Sequence, residues 1–169
     1  MSMFISNKLK PLALGRPTTS DKYDVSGFTV AESVVDGIKP GEFVAYGTIT
    51  KHYVKIGAAT TAAQIAGIVL MPLVKSPNVW PSNGEVLFRA GEQGDCLLRG
   101  DAAIEVAAAE TGEPAEGGKV YLGTAADASQ GKVFVGAAAG RIELPGYIFL
   151  GINGTDNSGR KLAAVRRLY

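Results

Sequence analysis

Gly41-Glu-Phe-Val-Ala-Tyr-Gly47 is a short apolar strand bounded by glycines. A second strand, Tyr53-Val-Lys-Ile-Gly57, follows it. After an Ala- and Thr-rich connector comes a third, Ala66-Gly-Ile-Val-Leu70. The same three pieces return as Gly117-Gly-Lys-Val-Tyr-Leu-Gly123, Lys132-Val-Phe-Val-Gly136 and Pro145-Gly-Tyr-Ile-Phe-Leu150. Thr48 and Thr124 follow the first strand of each set, and Ala58-Ala59 and Ala137-Ala138 follow the second. The offset is 76 residues at the first strand and 79 at the other two, which places a three-residue insertion in the loop 125–131. The pattern predicts a duplicated three-strand β unit.

Outward from these units the chain keeps the same character. Glu85-Val-Leu-Phe-Arg89 and Asp95-Cys-Leu-Leu-Arg99 are expected as short strands around the turn Gly91-Glu-Gln-Gly94. Ala102–Ala107 and Leu162–Leu168 add two more, with Gly100 separating the first from its predecessor. Turn signals recur every eight to twelve residues or so, the mark of a β-barrel or sandwich. Glycine makes up 22 of 169 residues without a collagen period, which suits many strands joined by tight turns. The expected fold class is all-β, a barrel or sandwich body over residues 36–169. Only the connector 58–64 is expected to make a helical turn.

Residues 1–35 differ. Phe4-Ile-Ser-Asn-Lys-Leu-Lys-Pro-Leu-Ala-Leu-Gly-Arg-Pro17 mixes apolar side chains with cations, and Pro11 and Pro17 interrupt any helix. It reads as an extended arm that must cover a surface, on its own barrel or on a neighbour, with Phe28-Thr-Val-Ala31 and Val34-Val35 expected as a strand leading to the body. Phe4, Ile5, Lys8, Leu9, Lys10, Leu12, Leu14 and Arg16 are therefore interface candidates. Trp80, between Pro77 and Pro81 in a loop, either plugs a barrel end or anchors an interface. Arg166 and Arg167 are placed at a strand end, solvated or facing an acidic partner.

Composition and motifs narrow the function. The 17 basic and 16 acidic residues nearly cancel, which argues against a body built to bind nucleic acid or an anionic membrane. No apolar run approaches the roughly 20 residues that span a bilayer, and the N-terminus has no signal-peptide pattern. Cys96 is alone, is expected as a buried thiol, and points to a reducing compartment. His52, the sole histidine, is expected exposed in a hairpin turn, too isolated to build a metal site. Phosphate-loop, dinucleotide and nucleophile-elbow patterns are missing, and so is the calcium-loop spacing around Asp156. Asp95 and Asp101 bracket an apolar strand and read as hydrated strand ends. No catalytic set, metal or cofactor is expected, and the chain is read as a non-enzyme. Function is expected outside the repeated units, in the arm, the Trp80 loop and the barrel ends.

The order of these pieces resembles the head decoration, or structural cement, proteins of tailed bacteriophages. The resemblance rests on the strand Phe43–Gly47, the strand Tyr53–Ile56 and Gly67-Ile-Val-Leu70. It continues through Glu92-Gln-Gly-Asp-Cys-Leu-Leu-Arg-Gly100, Ile104-Glu-Val, Gly118-Lys-Val-Tyr-Leu, Gly131-Lys-Val-Phe and Pro145-Gly-Tyr-Ile-Phe-Leu150. It covers roughly residues 36–169. It implies a virion protein on the outer capsid surface that bridges capsomers of the major capsid protein, as a homo-oligomer with a trimer favoured. It implies no direct contact with nucleic acid or membrane. Two other readings stand beside it: a tail or baseplate component, and a carbohydrate- or ligand-binding β module. The tripeptide Arg99-Gly100-Asp101 overlaps Arg99-Gly100, which resembles an Arg-Gly step of the cement proteins, and is read as chance.

Overall fold

The computed structural model describes residues 15–16, 24–72, 86–156 and 158–168. Its strands are β1 (Asp24–Val30), β2 (Phe43–Tyr46), β3 (His52–Lys55), β4 (Ile65–Val69) and β5 (Gln93–Glu105). They continue as β6 (Lys119–Gly123), β7 (Val133–Phe134), β8 (Arg141–Thr155) and β9 (Lys161–Arg167). A 3-10 turn, Ala62–Gln64, sits in the Ala-rich connector, where the Thr61 N–H donates to Oε1 of Gln64. The all-β expectation holds.

The strands close into two rings that share β5. In the first, β1 pairs in parallel with β3, which pairs antiparallel with β2, then β4, then the N-terminal half of β5, and β5 returns to β1. In the second, the C-terminal half of β5 pairs with β9, then β8, β6 and β7. A parallel bridge from Val106 to Val133 closes it. Full closure removes exposed strand edges, the usual aggregation liability of a sheet.

The duplication is therefore larger than three strands. Val30 lies opposite Tyr53 in parallel, and Val106 lies opposite Val133 in the same way. The Ala31 N–H donates to Tyr53 O at 3.0 Å, and the Ala107 N–H donates to Val133 O at 3.0 Å. Gly47 N–H to His52 O is repeated by Gly123 N–H to Lys132 O. Gly41 and Gly117 both take left-handed φ and donate to Val69 O and Phe149 O respectively. Each copy is a five-stranded ring, with β9 standing to the second copy as the first half of β5 stands to the first.

Several sequence expectations are corrected by this arrangement. β1 is a barrel strand although it precedes residue 36, because Phe28 and Val30 supply core that the first ring needs. Val34-Val35 is a turn after β1, with Val34 buried and Val35 exposed. Gly100 does not divide two strands: at φ 114° it lets one 13-residue strand pass from one ring to the other. Asp101 is fully buried in mid-strand, opposite Arg166, rather than a hydrated end. His52 opens β3 and is half-buried.

The 79-residue offset also fails. Ile65 and Glu143 are equivalent, paired with Ala45 and Tyr121, and lie 78 apart. Ile68 and Ile148, paired with Phe43 and Lys119, lie 80 apart. A bulge falls between these pairs in both copies and is longer in the second, so the sequence match there averages two registers. At the second strand Tyr53 and Val133 are equivalent and lie 80 apart, so the loop insertion is four residues rather than three. A one-residue error matters because it swaps the two faces of a strand.

Alternation along the strands sorts the core. Val44, Ala66, Val69 and Cys96 point into the first ring with Phe28, Val30 and Tyr53, where the Phe28 and Tyr53 rings stack at 5.1 Å. Phe43, Ala45, Ile65, Ile68 and Leu97 take the opposite face and join one continuous core with Val120, Leu122, Phe149 and Val165 of the second ring. Both faces of β2 and β4 are thus covered, which explains their unbroken apolar runs. Burial pushes the Cys96 thiol up to about 12, opposed by the Arg167 charge. A thiol reagent at pH 8 should therefore react negligibly with the folded protein and stoichiometrically in denaturant. Fast labelling of the native chain would contradict the burial.

Candidate interaction surfaces

Of the residues singled out in the sequence, Phe4, Ile5, Lys8, Leu9, Lys10, Leu12, Leu14 and Trp80 lie outside the described residues. Gly15 and Arg16 are described, and they are tied to the body. The Gly15 N–H donates to Ala103 O at 3.0 Å, Ala103 N–H to Arg16 O at 3.1 Å, and Met71 N–H to Gly15 O at 2.9 Å. This short piece of the arm thus bridges the end of β4 to the shared strand. A Cβ on Gly15 would come within 2.8 Å of the Gly41 nitrogen, and φ is +67°, so glycine is required.

Arg166 and Arg167 are not free strand-end cations. Arg166 reaches Oδ1 of the buried Asp101 at 3.5 Å. Arg167 donates to the Ala66 carbonyl at 2.7 Å and lies 5.5 Å from the centre of the Tyr147 ring. Burial pushes the Tyr147 phenol up to about 12 against the nearby Arg167 charge. Because Ala66 belongs to the first ring and Tyr147 to the second, Arg167 joins the rings. Strand position alone does not show this, since it requires knowing that β4 and β8 meet.

The seam between the rings has further polar ties. Phe43 and Tyr147 meet edge to face at 5.4 Å. The Gln130 side-chain amide donates to Ile56 O at 2.6 Å across the seam, and within the second ring Lys132 pairs with Glu105 at 2.7 Å. Glu42 lies at this seam beside a small cavity of about 30 Å³ lined also by Phe43, Lys55, Ile56, Gln130 and Gly131. Desolvation raises its carboxyl above the usual range, although the Lys39 N–H, Lys55 and Lys39 oppose the shift. In the second ring, Arg141 stacks 3.6 Å over Phe134 and donates to Gly136 O at 2.7 Å. Glu110 accepts from the Gly112 and Val135 N–H groups beside Arg141. Burial alone would raise the Glu110 carboxyl, but those two N–H donors and Arg141 bring it below the usual range.

The polar ties above link structural elements to one another and assemble no general acid, base and nucleophile. Among the described residues no group of three or more His, Cys, Asp or Glu side chains is placed to hold a metal ion. No helix there is long and apolar enough to cross a membrane. Open surface features among the described residues include two hollows and four large exposed apolar side chains. The larger hollow, about 450 Å³, runs over Gly27, Phe28 and Thr29 of β1, Gln93 and Gly94 of β5, and Lys51 of the β2–β3 turn. The smaller, about 250 Å³, lies near Pro114, Asn153, Thr155 and Lys161 in the second ring. The exposed apolar side chains are Val25, Val35, Tyr46 and Ile49, at 40%, 92%, 50% and 62% exposure. All four belong to the first copy. Composition does not reveal this, because the sequence does not say which apolar residues find cover.

Comparison with known proteins adds three findings. The model of the structural cement protein family (E217 gp24/Pam3 gp6) matches residues 5–167. The match takes in the arm, beyond the 36–169 span of the sequence resemblance. Among solved structures, a chain from "The capsid of Myoviridae Phage XM1" shares the fold at a TM-score of 0.71 and 18% identity. That alignment covers 99% of this chain and 96% of the other. No curated protein matches.

Proposed function

The chain belongs to the phage structural cement proteins, and we propose that it binds the outer face of a phage head and ties neighbouring major-capsid-protein units together. The observation that carries this reading is the family match over nearly the whole chain. The fold supports it physically. A cement must resist the pressure of packaged genome by stiffness, and two rings sharing a 13-residue strand form a body whose described strands are all paired. The role needs no bond-making chemistry, and we assign none. Several copies acting together, with a trimer favoured, multiply weak contacts through effective concentration. The arm before Gly15 adds reach: 14 extended residues span up to about 50 Å. The residues Phe4 to Leu14, together with Trp80, remain candidate contacts to the capsid or to a sister subunit.

The test is direct. Purified protein is added to heads assembled without it, and the particles are imaged. The expected result is new density on the outer surface at symmetry-related positions, with a higher temperature threshold for genome release. Heads that gain no density at saturating protein would remove the proposal. Mass measurement of the free protein decides the oligomeric state.

A further inference from the structure

The internal duplication supplies a control for the exposed apolar residues. By strand register Val25 and Tyr46 correspond to Asp101 and Leu122 of the second copy, and by matching turn hydrogen bonds Val35 and Ile49 correspond to Thr111 and Ser129. Asp101 and Leu122 are buried, and the other two are polar or small. The fold therefore does not demand large apolar side chains on the surface at these places.

The tip of the β2–β3 hairpin, Tyr46–His52, carries two of the four. Its counterpart in the second copy, the β6–β7 loop, is four residues longer between equivalent hydrogen bonds and docks on the first ring. There Gln130 reaches Ile56 O, and Gly131 lines the seam cavity. The hairpin tip thus occupies the place from which its counterpart grips a neighbour, yet Ile49 projects into solvent. The tip is also stiff. Lys51 takes φ +59°, the one positive value among described non-glycine residues, held by Thr29 N–H to Lys51 O at 2.8 Å and Gly47 N–H to His52 O at 2.8 Å. A preorganised tip loses little freedom on binding.

A second copy of this chain does not offer the same seat. The surface gripped inside the chain is the row Phe43–Ile68–Leu97 with Ile65 and the Ile56 carbonyl. In the first ring it is covered by the second. In the second ring the equivalent row is Lys119–Ile148–Arg166 with Glu143, where Lys119 and Glu143 pair at 2.9 Å. The carbonyl equivalent to Ile56 is Gly136 O, already bound by Arg141. The head-to-tail contact is thereby capped, which keeps a non-closing interface from growing into a filament.

We propose that the hairpin tip Tyr46–His52, anchored by Ile49, seats on an apolar patch of the capsid shell protein. The proposal rests on the capsid-binding reading above and names the part of the surface that performs it. The test uses the full-length protein, wild type and Ile49→Asp, titrated onto undecorated heads by co-sedimentation, with mass and thermal melting measured in parallel. Ile49→Asp should keep the melting temperature and oligomeric mass of the wild type and lose about tenfold or more in head affinity. Wild-type affinity in the variant overturns the assignment alone. A changed oligomeric mass gives the tip to a sister subunit and also overturns it. Failure of the wild type to bind heads removes the capsid reading itself, and the tip assignment with it.

Discussion

Gly67→Ala should lower the stability of the protein by about 3 kcal/mol, because the new methyl has nowhere to go. A Cβ at this position would press into the Leu97 carbonyl oxygen and stand 2.6 Å from the Cys96 sulfur. Both atoms belong to β5, which pairs with β4 through Ile68–Leu97 and Val69–Cys96. Relief would require separating the two strands, so ladder hydrogen bonds and the burial of Ile68 and Val69 are lost together. For a chain of this size the melting temperature should fall by roughly 6–12 °C. Gly57→Ala is the control. Nothing lies within 4 Å of its Cβ, and it should change stability by less than about 0.5 kcal/mol. Equal melting temperatures for the two variants would show that β4 and β5 do not approach as described.

Phe149→Ala should cost about 3–5 kcal/mol, the range for deleting a fully buried aromatic side chain. Phe149 is one of the largest fully buried side chains. It pairs with Val165, exchanges backbone hydrogen bonds with Gly117 and Gly118, and fills the second ring. The response should extend beyond that ring. One core runs from Val120 and Phe149 through Tyr147 to Phe43 and Ile68, and β5 is common to both rings. Loss of far-UV circular dichroism and exposure of Cys96, which lies in the first ring, should therefore share one midpoint in denaturant. A Cys96 that stays protected after the dichroism has half disappeared would show two independently folding rings.

The balance of sequence and structure can be followed in particular residues. Phe43-Val-Ala-Tyr46 and its copy at 119–123 were legible because apolar, glycine-bounded strands are local patterns. Cys96 between apolar neighbours was legible as a buried thiol for the same reason. The 3-10 turn at Ala62–Gln64 followed from the Ala-rich connector. By contrast, the resemblance of β1 to the later part of β5 was invisible, since Asp24–Val30 and Gly100–Val106 share almost no residues. Their equivalence lies in which strands they pair with. The offset of 79 was a compromise between true offsets of 78 and 80, because a bulge leaves no compositional mark.

The interaction surfaces divide in the same way. Arg166 and Arg167 looked like solvated charges because a sequence window sees neither Asp101 across the ladder nor Ala66 on another ring. Nothing in the sequence singles out Ile49 or Val35, which only the fold leaves uncovered. By itself the sequence determined the all-β class, the existence of a repeat and the resemblance to cement proteins, all of which rest on local patterns and their order. The tertiary structure alone decided that the repeat is a pair of five-stranded rings sharing one strand. It also decided which outer face is buried in their seam and which hairpin tip remains open. Strand pairing and burial are set between residues distant in sequence, by backbone hydrogen bonds common to every residue type, so composition does not record them.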